Sequence, residues 1–509
     1  MQNEVEAFLG TASTAGAPVT RIDTHAAIVF LSGGRALKIK RAVRLPFLDF
    51  STLDRRKAGC EAELAVNKPF APTIYRRVIP ITRERDGSLK IDGAGNPVEW
   101  ALEMRRFDEN ATLDHAAGRG AITIALASAV ADAIAASHAN AAITTGSGWT
   151  RSIGEIIQQH ADAFRAGGAF AAVERDELEN ASRRLYAQHL PLIERRGVEG
   201  FVRRCHGDLH LANFVLIDGK PVLFDAIEFD ERLANIDVLH DLSFTLMDLV
   251  RYGCVEAANG VLNRYLDNTP RGNLEALCLL PLFMSMRAAV RANVLQCRPA
   301  DQALMERAKT YFALARSVLL PAPACMIAIG GLSGTGKSVV ARALAPLAGA
   351  LPGAVVLRSD VTRKRMLGVG ELDRLPPSDY EPPVTAEVYS RLTADAGRIA
   401  RQGHTVIVDA VFAREAERSA IQSAARQAGV PFVGIFLTAD VATRRQRINQ
   451  RTGDASDATA AVVEVQEEDD LGTLDWVRVD AEGTQRETTD LCTAMIPRAC
   501  LRRLEAGHG

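Results

Sequence analysis

Up to about Asp114 the chain largely alternates apolar and polar positions. HAAIVFL and RALKIKR flank SGG, so β-branched residues meet across a glycine pair, and the pattern predicts an antiparallel hairpin. STLDRRKAGCEAELAVNKPFA then switches to helical spacing through Leu53, Cys60 and Leu64, with Ser51 placed to cap it. RRVIPITRERDGSLKI and VEWALEMRRF read as further strands around glycine-containing turns. Up to about Asp114 the pattern therefore gives strands and turns with one helix. From Gly120 to about Leu319 the segments are longer, rich in Ala and Leu, and helical. The exception is RRCHGDLHLANFVLIDGKPVLFDAIEFD, Arg203–Asp230, where two short apolar runs are studded with histidine, asparagine and carboxylates. LLPAPAC, Leu319–Cys325, breaks the helical pattern with two prolines and reads as a linker. Beyond it strands (CMIAIGG, GAVVLRSD, TVIVDAVF, PFVGIFLTA, DWVRVDA) alternate with helices, which predicts a parallel sheet covered on both faces.

At 509 residues the chain exceeds what one core supports. Hydrophobic content of 47% and charged content of 24% are those of a globular protein in water. A formal net charge of −2 supplies no field for nucleic acid or anionic membrane, so nucleic acid is not an expected partner. The eight cysteines are scattered singly, without metal spacing, and suit a reducing cytoplasm. MQNEVEAFLG lacks the basic and apolar regions of a secretory signal. The most apolar run, ALCLLPLFM, is short and contains Pro281, so no transmembrane helix is expected.

Gly331-Leu-Ser-Gly334-Thr-Gly336-Lys337-Ser338 fits GxxxxGK[ST], a Walker A pattern, between a predicted strand and a predicted helix. Glycines let backbone N–H groups close on phosphates, and the helix N-terminus adds a favourable dipole. Lys337 is expected to reach the β/γ-phosphates of ATP and Ser338 to ligate Mg²⁺. Asp360 ends VVLRSD and Asp409 ends VIVD. Ligands gather at strand ends in such sheets, where an aspartate holds Mg²⁺ through water, takes a proton, or caps a helix. Arg444, Arg447 and Arg451 share a helical face, either solvated or closing as a lid on phosphate. These pieces resemble the P-loop kinase group of zeta-toxin-like, gluconate-kinase-like and polynucleotide-kinase-like proteins over roughly Cys325 to Gly509. The resemblance implies that Asp360 is the base for a substrate hydroxyl, Arg363 a substrate or phosphate contact, and Arg447 and Arg451 lid arginines.

Within Arg203–Asp230, HxDxxxxN followed by a strand-end aspartate supplies a base and oxygen ligands for a metal, which phosphoryl transfer requires. HGDLHLAN, with Gly207 where protein kinases carry arginine, resembles the catalytic loop of the aminoglycoside phosphotransferase and choline kinase family. That resemblance, over roughly Val19 to Arg316, implies Asp208 as catalytic base, Asn213 and Asp225 as Mg²⁺ ligands, Asp241 as a buried brace and His206 as structural. It also implies an ATP-pairing lysine in ALKIK, Lys38 or else Lys40 on the same face. The partner on the following helix is Glu63, with Glu61 second. EWALEMRRF is expected to hold adenine, and no GxGxxG is present.

The expected architecture is an α+β protein-kinase-like domain (N-lobe 1–115, helical C-lobe 116–318), a linker at 319–325, and an α/β P-loop domain at 326–509. It resembles bacterial two-domain proteins that fuse a phosphotransferase-like domain to a P-loop ATPase-like domain. The expected function is ATP- and Mg²⁺-dependent transfer of phosphate to small hydroxyl-bearing molecules at two sites. A nucleotide-sensing protein with one inactive site, and a nucleic-acid 5′-hydroxyl kinase in the second domain, are the alternatives. Arg287 and Arg291, one turn apart, suit an anionic substrate or a solvated or interdomain face. The acidic run Asp225, Glu228, Asp230 and Glu231 suits a cationic acceptor.

Overall fold

The structure, a computed structural model, describes residues 2–502 apart from 14–15, 25, 46–47, 270, 298–300, 452 and 469. The last residues of the expected P-loop domain, 503–509, lie outside the described residues. The chain forms two compact units, residues 1–159 with 186–248, and residues 160–185 with 249–509.

In the first unit a six-stranded antiparallel sheet runs in the order Thr20–Asp23, Ala27–Ser32, Arg35–Lys40, Asn96–Arg105, Tyr75–Arg83, Leu89–Ile91. The alternation in RALKIK divides its side chains. Leu37 and Ile39 enter an apolar cluster with Ile28, Phe30, Ile79 and Ile81, while Lys38 and Lys40 take the opposite face. A helix the pattern did not signal, Gln2–Thr11, packs Val5 and Leu9 into that cluster. The expected helix is Leu53–Asn67, but Thr52 and not Ser51 caps it, accepting from the Arg55 N–H at 3.3 Å. Ser51 instead bonds Asp49 in the preceding turn. The stretch at Arg203–Asp230 folds as Val202–Arg204, a loop, and the hairpin Phe214–Ile217/Lys220–Leu223.

The second unit holds a five-stranded sheet, all parallel, in the order Val355–Arg358, Val406–Asp409, Met326–Gly331, Phe432–Thr438, Val477–Asp480. Its strands read as apolar runs because helices cover both faces. Residues 319–325 lie inside this unit. The outer edge of Val355–Arg358 is not left open. The helix Val255–Asn268 lies beside it, and Asn263 accepts from the Val356 N–H at 2.7 Å. Asn259 and Asn263 both donate to the carbonyl of Ala354, at 3.0 and 3.2 Å. Two side-chain amides thus replace a sixth strand. The helical stretch Arg271–Gln296, which holds the apolar run around Pro281, is long and apolar enough to cross a membrane. However, 78% of its most apolar window is buried within the protein, as in a core helix.

Candidate active sites

In the first unit Lys38 joins two residues that are distant in sequence. Its ammonium lies 2.7 Å from Glu63 and 2.8 Å from Asp225. Lys40 is no mere alternative, since it reaches Glu63 at 2.6 Å and Glu228 at 2.5 Å. Glu61 is turned outward toward Lys57. Burial raises the Glu63 carboxyl, but the two ammonium groups outweigh it and bring the pKa down to about 2. Burial alone would lower Lys38; Asp225 and Glu63 hold it well above its ordinary value. Asp225 adopts φ 62°, a left-handed conformation that costs a non-glycine residue and is fixed here from two sides. Its N–H donates to Tyr75 Oη at 3.1 Å, and the next N–H donates to Asn67 Oδ1 at 2.7 Å. Asn67, fully buried, also donates to the Glu63 and Ala226 carbonyls, so it ties the glutamate helix to the Asp225 loop.

Asp208 and Asn213 form a second group on the neighbouring loop. Asn213 Nδ2 donates to the Asp208 carbonyl at 2.8 Å and to its carboxylate at 3.2 Å. Asp241, wholly buried, accepts the His206 and Gly207 N–H groups at 3.2 and 2.9 Å and meets His138 Nε2 at 3.1 Å. Gly207 sits at φ 85°, and a Cβ there would lie 2.8 Å from the Leu233 carbonyl, so this loop excludes the arginine of protein kinases. His206 lies buried with Nε2 2.9 Å from the Phe224 carbonyl, and burial lowers its pKa. The acidic run is partly neutralised, since Lys40 holds Glu228 and Arg232 holds Asp230 at 2.8 Å. That weakens the expectation of a cationic acceptor.

In the second unit Gly331, Gly334 and Gly336 turn the chain from the central strand into the helix Lys337–Leu344, all with positive φ. Gly334 has no substitute, because a Cβ would lie 2.6 Å from the Arg444 carbonyl. Lys337 folds back to the Leu332 carbonyl at 3.0 Å, and burial lowers its pKa. Ser338 Oγ donates to Asp409 at 2.5 Å. The strand expected to end at Asp360 ends at Arg358, and Asp360 lies in the first turn of the helix Ser359–Leu367. Burial raises its pKa, despite Arg358 nearby. Arg447 reaches the phosphate loop at the Thr335 carbonyl, 3.5 Å, and the Ala481 carbonyl, 2.7 Å. Arg451 turns instead to Ser456 and Ala458 of its own loop, at 2.9 and 3.1 Å. The arginine most firmly seated on the phosphate loop is Arg444, buried, with Nε 2.9 Å from the Ser333 carbonyl. Arg363 stacks on Tyr380 and donates to the Asp379 carbonyl at 2.7 Å. Apart from Gly331, Arg358 and Arg444, these groups line one cleft of about 1220 Å³. Arg287 and Arg291 are not among its lining residues.

Hard oxygen donors suit a divalent ion at both places. Asp225 and Asn213 offer carboxylate and amide oxygens, and Ser338 and Asp409 offer hydroxyl and carboxylate. At the second, a guanidinium already touches both donors. Arg358 Nη2 lies 3.0 Å from Ser338 Oγ, and Arg358 Nε lies 3.2 Å from Asp409.

Residues 95–276 match the phosphotransferase enzyme family, and residues 326–469 match an AAA domain family. The chain joins a phosphotransferase-family domain to a P-loop domain. The first match is to a family of phosphotransferase enzymes, the second to a family of AAA domains. An uncharacterised protein of Mycobacterium tuberculosis is 28% identical to this chain over 459 residues, covering 86% of this chain and 88% of its own length. A choline/ethanolamine kinase family protein from Mesorhizobium loti is 13% identical, covering 62% of this chain and 99% of its own, with a TM-score of 0.37. A gluconokinase from Sinorhizobium meliloti 1021 is 22% identical, covering 36% of this chain and 95% of its own, with a TM-score of 0.25. The phosphotransferase-family match takes in Asp208, Asn213 and Asp225 and begins after Lys38 and Glu63. The P-loop match takes in every residue from Gly331 to Arg451 named above. Sequence reasoning missed Asn67, Arg358 and Asp454, and it named Glu228 only within an acidic run, not as a partner of Lys40. Only Arg358, charged at the end of an apolar strand, left a signal in the pattern.

Proposed function

We propose that the protein transfers the γ-phosphoryl group of ATP to hydroxyl groups of small molecules, with Mg²⁺, at both sites. The observation that carries this reading is the Lys38 ammonium held between Glu63 and Asp225, at 2.7 and 2.8 Å. A lysine so oriented presents its N–H donors to a polyphosphate, and the adjoining aspartate presents oxygen to its metal. Asn213 and Asp225 hold that metal, which when bound draws charge from the phosphate oxygens. Asp208 accepts the acceptor's hydroxyl proton while the new O–P bond forms and the bond to ADP breaks. In the P-loop domain the backbone of residues 331–338 and Lys337 hold the phosphates. Lys337, desolvated, gains more from a phosphate than an exposed lysine would. Ser338 and Asp409 hold the metal, Asp360 takes the proton, and Arg447 contacts transferring phosphate. The eight cysteines, none in a disulfide, suit the cytoplasmic setting included in this reading.

The test is ADP release by the full chain against a library of hydroxyl-bearing metabolites, repeated with Lys38→Ala and with Lys337→Ala. Each substitution is expected to remove a different set of acceptors. Acceptor-dependent ADP release that survives both substitutions together would refute the assignment.

A further inference from the structure

Arg358 touches everything that a metal at the P-loop would need. Its side chain is 6% exposed. Nη2 donates to Ser338 Oγ at 3.0 Å and to both carboxylate oxygens of Asp454, at 2.9 and 3.1 Å, while Nε donates to Asp409 at 3.2 Å. The Ser338 proton is committed to Asp409, so Arg358 occupies one of the two lone pairs on Ser338 Oγ. A divalent ion on that oxygen would stand beside a unit positive charge, and the two repel. Asp454, already bonded to Nη2, would keep the guanidinium paired once it leaves Ser338. Asp454 belongs to the loop after the helix Val441–Gln450, 4.0 Å from Arg451 and 3.6 Å from Arg342 of the helix Lys337–Leu344.

We propose that Arg358 is a positioning residue that stands in for the metal, holding Ser338 and Asp409 together until Mg²⁺ displaces it from Ser338 toward Asp454. The buried cation keeps two carboxylates from facing each other unpaired. Its retreat links arrival of the metal to the loop that carries Asp454. This inference rests on the reading that the P-loop binds Mg·ATP.

The test is equilibrium binding of ATP to the full chain as a function of Mg²⁺, in an Asp225→Asn background that weakens the other site. Arg358→Gln is expected to lower the Mg²⁺ concentration for half-maximal binding about tenfold, the gain from removing one repelling charge at short range. Asp454→Asn, which removes the destination, is expected to raise it. Damage to the fold would move both variants the same way. Arg358→Lys keeps a buried cation, and thus the fold, but lacks the fork that spans Ser338 and Asp454. It is expected to fall between the parent and Arg358→Gln. Arg342→Gln removes a largely exposed charge near Asp454 without touching Ser338 and is expected to move the Mg²⁺ midpoint far less than Arg358→Gln does. An unchanged or higher Mg²⁺ midpoint in both Arg358 variants overturns the proposal, as does an Arg342→Gln effect of equal size. If ATP binding in this background does not respond to Lys337→Ala, the reading of the P-loop itself fails instead.

Discussion

Asp208 and Asp225 carry the same functional group and keep different company. Asp208 takes a hydrogen bond from Asn213 on its own loop, whereas Asp225 faces the Lys38 ammonium. Their variants should therefore fail differently. Asp208→Asn keeps shape but accepts no proton, so turnover at the first site should drop by ~10²–10⁴ with Mg·ATP affinity kept. Asp225→Asn removes a metal-binding charge, so Mg²⁺-dependent ATP affinity should itself fall. Equal loss of affinity in both would refute the division of roles. Asp360 adds a dependence on pH. Burial raises its pKa above the ordinary 3.8, and only the carboxylate accepts a proton. Activity of the P-loop site should thus fall, as pH drops, through a midpoint above 3.8. An acid limb at or below that value in kcat/KM would exclude Asp360 as the base. These residues were legible because phosphoryl transfer fixes their types and their order along the chain. Asn67 and Asp454 were not, because each acts through a partner far away in sequence, and nothing local marks a buried amide or a loop aspartate as such a partner.

Alternation in RALKIK and the apolar runs of the parallel sheet were readable because one periodicity serves each strand from end to end. The helix Gln2–Thr11 escaped notice because only two of its residues, Val5 and Leu9, are buried, too few to set a stripe. The helix Val255–Asn268 was legible as a helix but not as the cover of a sheet edge, because Asn259 and Asn263 look like a solvated face until the strand Val355–Arg358 is placed beside them. Asn263→Ala leaves the Val356 N–H without its partner, and the full chain should lose about 1–3 kcal/mol of stability in denaturant unfolding. A change near zero would show that the edge is held by packing alone. The same helix carries the partly buried Asp267, whose desolvation pushes its carboxyl up to about 6 although Arg365 stands 3.8 Å away. The folded state thus binds this proton more tightly than the unfolded state. Stability from Asp267 should grow as pH falls from about 6 toward 3.8 and be lost as pH rises through about 6. Asp267→Asn should flatten that part of the thermal-unfolding profile, and an unchanged profile would remove Asp267 as its source.

The prolines of LLPAPAC suggest a joint at which the chain could be divided, but the second compact unit runs across it. Helices before residue 319 and the elements after residue 325 share hydrogen bonds and ion pairs that no local sequence signal records. Besides the asparagine pair, Arg264 is paired with Glu371, and Arg271 lies 2.9 Å from Asp395. Arg365 donates to the Thr269 carbonyl at 2.9 Å, and Gln402 to the Leu274 carbonyl at 2.6 Å. A fragment beginning at residue 326 would expose the edge of Val355–Arg358 and leave Asp395 and Glu371 without those arginines. Arg358 ends that edge strand and Asp360 opens the helix after it, so the loss would fall on the cleft as well as on stability. Fragment 326–509 should therefore unfold at a lower temperature than the second unit in the full chain, or aggregate through its open edge. Full-length protein nicked by a protease within 319–325 should behave otherwise, because the contacts cross the cut without needing the peptide bond. Its two pieces should co-elute in gel filtration and keep Lys337-dependent ATP binding. If the isolated fragment matches the full chain in melting temperature and ATP affinity, the helices from 249 to 318 are not part of the P-loop fold. The proline segment would then divide two independent domains.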